Sequence, residues 1–359
     1  MTQRNVKHES PEGRERAPTS ADVARLAGVS QATISLVLNG RASNVRISDE
    51  TRDRVISAAA QLGYAPNHAA RSLRQRSTKI ITFVLPALDN PYYSDVVSAA
   101  QVAAQQHGYA VSVLPTRVKP GGFHALSLLQ GAAFDGIIVA GHENCAAAEI
   151  QQLAARGIAV VALQKHGLNP AIHGVSVDLE TGGYLATRHL IGLGHRRIAH
   201  VMEELPPSET RRDRVDGYRR ALAEAGLPFD PSLVVITENS MDGGCKAIEQ
   251  LLFGDRLPTA AFMYNDQMAI GALHALRTHA LTVPDDFAVV GFDGLAVGQF
   301  TAPPLTTIDH PREDLGRLAV ETLIDAIEKR PLGARERMLP VKLLIRESCG
   351  GKGAAPNQT

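Results

Sequence analysis

The chain has 359 residues, 44 % of them hydrophobic, which is enough for two or three domains with substantial cores. Its formal net charge is zero, yet residues 1–79 hold 13 Lys/Arg against 7 Asp/Glu, and the remainder holds 24 against 30. That asymmetry points to a nucleic-acid-binding head on a body that repels phosphate. The three cysteines, Cys145, Cys245 and Cys349, are odd in number and widely spaced, which excludes a disulfide framework and a zinc pattern. No signal-like apolar region opens the chain and no run approaches about 18 apolar residues, so the reading is a cytoplasmic protein without a membrane partner.

Residues 1–18 are polar, charged and aperiodic, and are expected to be disordered. Thr19 and Asp22 make a capping-box pattern at the start of a helix whose Val23, Ala24 and Ala27 face inward. Gly28 supplies its left-handed end. Ser30 caps a second helix in which Ile34, Val37 and Leu38 continue the core. Gln31, Ala32, Thr33, Ser35 and Leu36 are left facing outward. A short helix, a Gly-Val-Ser turn and a helix with small polar residues outside form the pattern of a helix-turn-helix that reads DNA. A loop, 39–47, carries Arg41 and Arg46. Ser48 then caps a third helix with Asp49 and Glu50 in its first turn, and Gly63 ends it. The segment after Pro66, with Arg71, Leu73, Arg74, Arg76 and Lys79, reads as a linker that orders on a partner.

From Ile80 the pattern changes. Apolar runs at 80–85, 109–114, 136–140, 159–163, 198–202, 260–264 and 287–292 predict strands. Helical stretches such as Ser94–His107, Thr181–Leu193 and Arg214–Ala225 separate them. Near-continuous apolar strands alternating with helices predict parallel sheets covered on both faces, and about 270 residues suffice for two such units with a cleft between them. No nucleophile elbow, Walker loop or dinucleotide fingerprint is present, which argues against an enzyme. His142, Glu143 and Cys145 are close but irregularly spaced, and no metal site or cofactor is expected. Gly243-Gly244-Cys245-Lys246 reads as a helix start rather than a phosphate loop.

Over residues 19–348 the sequence resembles the lactose-repressor (LacI/GalR) family of bacterial transcription regulators. The motifs that carry the likeness are DVARLAGVSQATISLVLNG, ETRDRVISAAAQLGYAPNHAARSLR, DNPYY at 89–93 and VDLETGGYLATRHLIGLGHRRIAHV at 177–201. DGYRRALAEAGLPFDPSLV at 216–234, NDQMAIGALHAL at 265–276, VPDDFAVVGFDG at 283–294 and PPLTTI at 303–308 complete them. The resemblance implies an α/β core of two doubly wound parallel-sheet subdomains, like periplasmic sugar-binding proteins, behind an all-α helix-turn-helix headpiece. The implied boundaries are a headpiece at 19–66, a hinge helix and linker at 67–79, and a core at 80–348. Within the core, one subdomain is 80–176 plus 309–340 and the other 177–308 plus 341–348, with a flexible tail at 349–359. The implied partners are a palindromic double-stranded operator, a second copy of the chain, and a small sugar-like effector, with a nucleoside as the alternative. A transport-type sugar-binding protein is the rival reading, disfavoured by the basic head.

For DNA, Ser30 can bond a phosphate at a helix N-terminus, Gln31 can pair with adenine, and Ala32 can touch a thymine methyl. Thr33, Ser35 and Asn39 match family positions that hold phosphates or bases; for Thr33 and Ser35 the alternative is solvated surface. Leu36 departs from the arginine common there, so guanine readout is lost at that position. Arg71 belongs to the basic hinge, and Leu73 matches a leucine inserted into the minor groove, the alternative being linker packing. For the effector, Tyr92 and Tyr93 are expected at strand C-terminal ends, where a ring can stack on them, unless they are ordinary core. Arg212 matches an effector-gripping arginine, with a solvated helix start as the alternative for the run 211–214. Asn265 and Asp293 match polar ligand positions, and Gln164 stands where relatives carry aspartate.

Overall fold

Capping chemistry sets the first three helices as the sequence predicts. Thr19 and Asp22 cap each other's backbone at the start of α1 (Ser20–Ala27), and Gly28 closes it at φ 67°. The Ser30 hydroxyl accepts from the Thr33 amide at 3.1 Å and opens α2 (Gln31–Leu38). Ser48 caps α3 (Asp49–Leu62), which Gly63 ends. Val23, Ala24, Ala27, Ile34, Val55, Ala58 and Ala59 form a small core of their own, joined by half-buried Val37 and Leu38.

The computed structural model describes residues 18–38, 47–64, 77–116, 129, 133–141, 147–164, 168–169, 171–203, 209–254 and 257–351, with the side chains of 147–148 and 209–212 outside that set. The tail at 1–17, the loop 39–46, the hinge residues 65–76 and the segment 142–146 therefore lie outside the described residues. Residues 1–78 and 79–359 form two separate units.

In the second unit, β1 (Ile80–Leu85), β2 (Ala110–Pro115), β3 (Gly136–Ala140), β4 (Ala159–Leu163), β5 (His173–Val177) and β11 (Glu336–Leu339) build one sheet. Its order is β11-β5-β4-β3-β1-β2 and every pairing is parallel. The second sheet has the order β12-β10-β9-β8-β6-β7. Its strands are β6 (Ile198–Glu203), β7 (Val234–Thr237), β8 (Ala260–Met263), β9 (Ala288–Asp293), β10 (Thr306–Asp309) and β12 (Lys342–Leu344). One departure from the all-parallel expectation appears: β12 runs antiparallel to β10 at the edge. The chain passes between the sheets after Val177, after Asp309, and between Leu339 and Lys342.

Helices cover both faces, as buried apolar strands require. The first sheet carries α4 (Pro91–Gln106) and α10 (Arg312–Ile327) on one face and α5 (Ala147–Ala155) on the other. The second carries α6 (Leu179–Gly192) and α7 (Glu209–Glu224) against α8 (Met241–Leu252) and α9 (Asp266–Thr278). Ser240 caps α8, so Gly243 and Gly244 lie in a helix start, as the sequence predicts. The flexible tail expected at 349–359 does not hold for Cys349, and residues 352–359 lie outside the described residues. Cys349 is buried in the same core cluster as Phe262 and Phe292, its sulfur 3.1 Å from the Thr306 hydroxyl. Ser348 is also buried, its hydroxyl donating to the Val289 carbonyl at 2.6 Å.

Candidate ligand cleft and DNA-facing helix

The C-terminal ends of the strands of both sheets converge on one open cleft of about 880 Å3. Tyr92, Tyr93, Gln164, Asn265 and Asp293 all line it, so five of the six residues expected from sequence meet in one place. The sixth, Arg212, has its side chain outside the described residues.

Asn90 caps α4 by accepting from the Tyr92 amide at 2.9 Å, and Pro91 opens the helix, so Tyr92 and Tyr93 sit in its first turn. The helix thus begins three residues before the expected Ser94. The two rings meet edge-on at 5.2 Å, and Tyr92 meets His310 edge-on at 5.3 Å. Burial, with Asp293 nearby, pushes the Tyr92 hydroxyl well above its ordinary range, so it remains a neutral donor.

Gln164 ends β4 at φ 57°. Its amide bridges to the next strand: the Val177 N–H donates to Oε1 at 2.9 Å and Nε2 donates to the Val177 carbonyl at 3.1 Å. One N–H edge remains for a ligand. Asn265 is similarly committed, capping α9 through the Met268 amide and donating to Asn239 Oδ1 at 2.7 Å.

The second sheet supplies the charges. Arg214 is buried, and its guanidinium lies between the rings of Tyr264, at 4.2 Å, and Phe292, at 4.4 Å. Its Nε and Nη1 have no hydrogen-bond partner. Burial opposes its charge, but Tyr264, Asp293, Glu203 and Tyr92 outweigh that and hold it protonated. Close helix crossing puts it there: a Cβ on Gly183 of α6 would overlap the Arg214 carbonyl, and one on Gly217 would overlap the Glu180 carbonyl. Asp293 ends β9 and is buried, which pushes its carboxyl well above the usual range, with Asp266 adding to the effect. Burial also raises Asp266, to about 7, against the Thr307 hydroxyl and Leu295 amide that bond it. Glu203 ends β6 and accepts from the Tyr264 hydroxyl at 2.5 Å and from Asn239 at 2.7 Å. His310 lies in the crossing after β10, buried, with both ring nitrogens unpartnered; burial, then Arg214 and Arg312, keep it neutral.

Sequence reasoning did not single out Arg214, Glu203, Asn239 or His310. Two signals were available: Arg214 precedes the close-packing Gly217 by one helical turn, and Glu203 closes an apolar run at a strand C-terminal end.

On the headpiece, α2 exposes Gln31, Ala32 and Ser35, half-buries Thr33 and Leu36, and buries Ile34. The outward face is the one expected. The Ser30 hydroxyl is engaged with Thr33, whose own hydroxyl lies 2.9 Å away. Asn39, Arg71 and Leu73 lie outside the described residues.

Residues 19–67 match the model for bacterial regulatory proteins of the lacI family, and residues 78–347 match periplasmic binding proteins and the sugar binding domain of the LacI family. The chain belongs to the LacI family. It is 33 % identical over 335 residues to a ribose operon repressor of Haemophilus influenzae, covering 92 % of this chain and 98 % of that one. A solved transcriptional regulator, CelR in complex with cellobiose, is 31 % identical with a TM-score of 0.69, over 92 % of this chain and 99 % of the other. The lac repressor dimer bound to operator and an anti-inducer superposes with a TM-score of 0.78 at 27 % identity, over 93 % and 99 %. Like its relatives, this LacI-family member is a DNA-binding transcriptional repressor with a ligand-binding core, in the periplasmic-binding-protein-like fold. Among the described residues, no helix is long and apolar enough to cross a membrane.

Proposed function

We propose that the chain acts as a homodimer on a two-fold symmetric operator in the bacterial cytoplasm, at the nucleoid, and that a small neutral polyhydroxylated molecule in the cleft sets its operator affinity. The observation that carries the ligand class is the pairing of one buried guanidinium having unpartnered N–H groups with the buried acids Asp293 and Glu203. Vicinal hydroxyls can accept from the guanidinium while donating to the acids, whereas an anion would meet two carboxyl groups. The ligands held by two solved relatives, ribose in a LacI family transcriptional regulator of Enterococcus faecium and cellobiose in CelR, are of this class. A nucleoside is the second reading, favoured by the edge-on Tyr92–Tyr93 pair at the mouth of α4. The cleft binds and does not catalyse.

In this reading Arg214, Asp293, Gln164, Asn265, Tyr92, Tyr93 and Arg212 contact the ligand. Ser30, Gln31, Ala32, Thr33, Ser35, Leu36 and Asn39 face the major groove and its phosphates. Arg71 and Leu73 engage the minor groove from a hinge at 67–79, between a headpiece at 19–66 and a core at 80–348. A ligand that prefers one cleft geometry shifts how the two cores meet, and with that the hinge.

The test is genome-wide mapping of binding sites with the full-length chain, followed by gel shift on the recovered site with and without D-ribose, cellobiose or adenosine. A palindromic site, salt-sensitive binding and a ligand-dependent shift are expected. Absence of salt-sensitive retention on DNA overturns the regulator, and Leu73→Ala binding the site normally overturns the minor-groove role.

A further inference from the structure

Asp293 faces the cleft from an unfavourable backbone conformation. Its φ is 114°, a region that residues with a Cβ avoid. The turn that follows it is fixed from two sides. Its amides are held from within the second sheet: Gly294 N–H donates to the Thr307 hydroxyl at 3.2 Å, and Leu295 N–H donates to Asp266 at 2.7 Å. Its carbonyls are held by Arg312, which belongs to the other half of the core. Arg312 donates through Nη1 to the Asp293 carbonyl and through Nη2 to the Gly294 carbonyl, the latter at 2.9 Å.

Arg312 is the first residue of α10, which packs on the first sheet and against α4. A Cβ on Gly316, one turn further on, would overlap the Val96 carbonyl, so the two helices are in close register. Asp95 of α4 accepts from Arg312 Nε at 3.1 Å. Asp95 is one turn beyond Tyr92 on the same helix. The guanidinium is therefore aimed by the element that carries Tyr92 and grips the turn that carries Asp293. Only 15 % of the Arg312 side chain is exposed, so its bonds to the carbonyls are partly shielded from water. Arg312 also lies 3.6 Å from the Asp309 carboxylate at the end of β10, so if the cleft opened the two carbonyl bonds and this ion pair would be strained, while the bond to Asp95 stays within one half.

We propose that Arg312 is a positioning residue for ligand binding: it holds the Asp293 turn in its cleft-facing conformation and ties that turn to the wall bearing Tyr92. A ligand seated between Asp293 and Tyr92 then favours the clasped geometry by its contacts, and the clasp favours the ligand by the same factor. The ligand part of this statement rests on the function proposed above; the positioning part does not.

Hydrogen exchange read by mass spectrometry on the full-length chain, without ligand, tests the positioning. In Arg312→Met, amide exchange over 293–298 is expected to quicken about tenfold or more relative to the unmodified chain, with residues 288–292 of β9, α4 and the body of α10 unchanged. Arg312→Lys, which keeps one donor to the carbonyls, is expected to recover part of the protection. Asp95→Asn, which keeps the grip and weakens only its aim, is expected to fall between. Unchanged exchange at 293–298 in Arg312→Met overturns the proposal, and so does faster exchange spread over α10 and the first sheet, which would mark a general packing role. Calorimetry with D-ribose, cellobiose and adenosine forms the second arm. Whichever binds the unmodified chain is expected to bind Arg312→Met about tenfold more weakly, and equal binding overturns the link to ligand. If none of the three binds the unmodified chain, the proposed ligand class falls, while the exchange arm still decides the role of Arg312.

Discussion

The two walls of the cleft are built from the same kind of sheet but do different work. The wall from the first sheet offers the neutral side chains of Tyr92, Tyr93 and Gln164, with Gln164 already bonded to the backbone of Val177, and one acid, Asp89, which is exposed. The wall from the second sheet offers Arg214, Glu203 and Asp293, all buried, and behind them His200 and Asp266. A buried charge is costly unless something pairs it, so the second wall has a built-in demand for a polar ligand, whereas the first adds mainly contact area and shape, with one Gln164 N–H and the exposed Asp89 as its polar groups. Chemical selectivity is therefore expected to reside in one wall and fit in the other.

The largest effect should come from removing the charge. Arg214→Met keeps the length and apolar contacts of the side chain between Tyr264 and Phe292 but leaves Asp293 and Glu203 without a cation. Ligand affinity measured by calorimetry is expected to fall by about 3 kcal/mol, on the order of 100-fold, with operator binding in the absence of ligand retained. A loss below about threefold would put selectivity elsewhere.

Next is a pH effect behind the same wall. His200 stacks on Phe262 at 4.6 Å, and burial lowers its pKa from 6.5 to about 4. Its unfolded form takes up a proton near 6.5 and its folded form does not. The stability it contributes is thus present above about pH 6.5 and is lost as the pH falls toward about 4, a span worth ~3 kcal/mol. Asp266, raised from 3.8 to about 7, tilts the opposite way, losing stability as the pH rises through that window. The difference between the unmodified chain and His200→Phe isolates the histidine: urea midpoints should diverge less in acid for the variant. Parallel pH profiles would contradict this account.

The first wall should show smaller changes. Tyr92→Ala removes one ring from the cleft and is expected to weaken ligand about tenfold, roughly 1.4 kcal/mol, with Tyr92→Phe near the unmodified value. A larger loss in Tyr92→Phe would show that the hydroxyl, not the ring, carries the contact. Gln164→Leu should act on stability first and on ligand second. It leaves the Val177 N–H and carbonyl without their side-chain partners and should lower the unfolding free energy by about 1 kcal/mol, while loss of the one N–H left for a ligand should weaken calorimetric affinity by about threefold.

Much of this molecule is legible in its sequence because the relevant signals are local. Capping residues mark α1, α2 and α3 directly, since a side chain three residues away satisfies a bare amide. The central strands β1, β3, β4, β6, β8 and β9 stand out because strands covered on both faces read as unbroken apolar runs. The strands that went unmarked are β5, β7, β10, β11 and β12. Most lie at or near a sheet edge, and β5 hides its polar residues by bonding them across to the β11 segment, Ser176 to Glu336 and His173 to Arg335. No local pattern announces such pairings.

The site divides in the same way. The sequence by itself determined the two-part plan and the outward face of α2, because hydrophobic period and caps are properties of neighbouring residues, whereas Tyr92, Tyr93, Gln164, Asn265 and Asp293 were expected in the cleft from the resemblance to the LacI family. Only the tertiary structure decided that Arg214 faces the cleft, that Gln164 is spent on Val177, and that His310 and Arg312 stand where the halves meet. Those outcomes depend on the crossing of α6 and α7 at Gly183 and Gly217, and on a chain that leaves the first sheet after Val177 and returns to it only at Glu336. Contacts of that range are fixed by packing and burial rather than by any local preference of the chain.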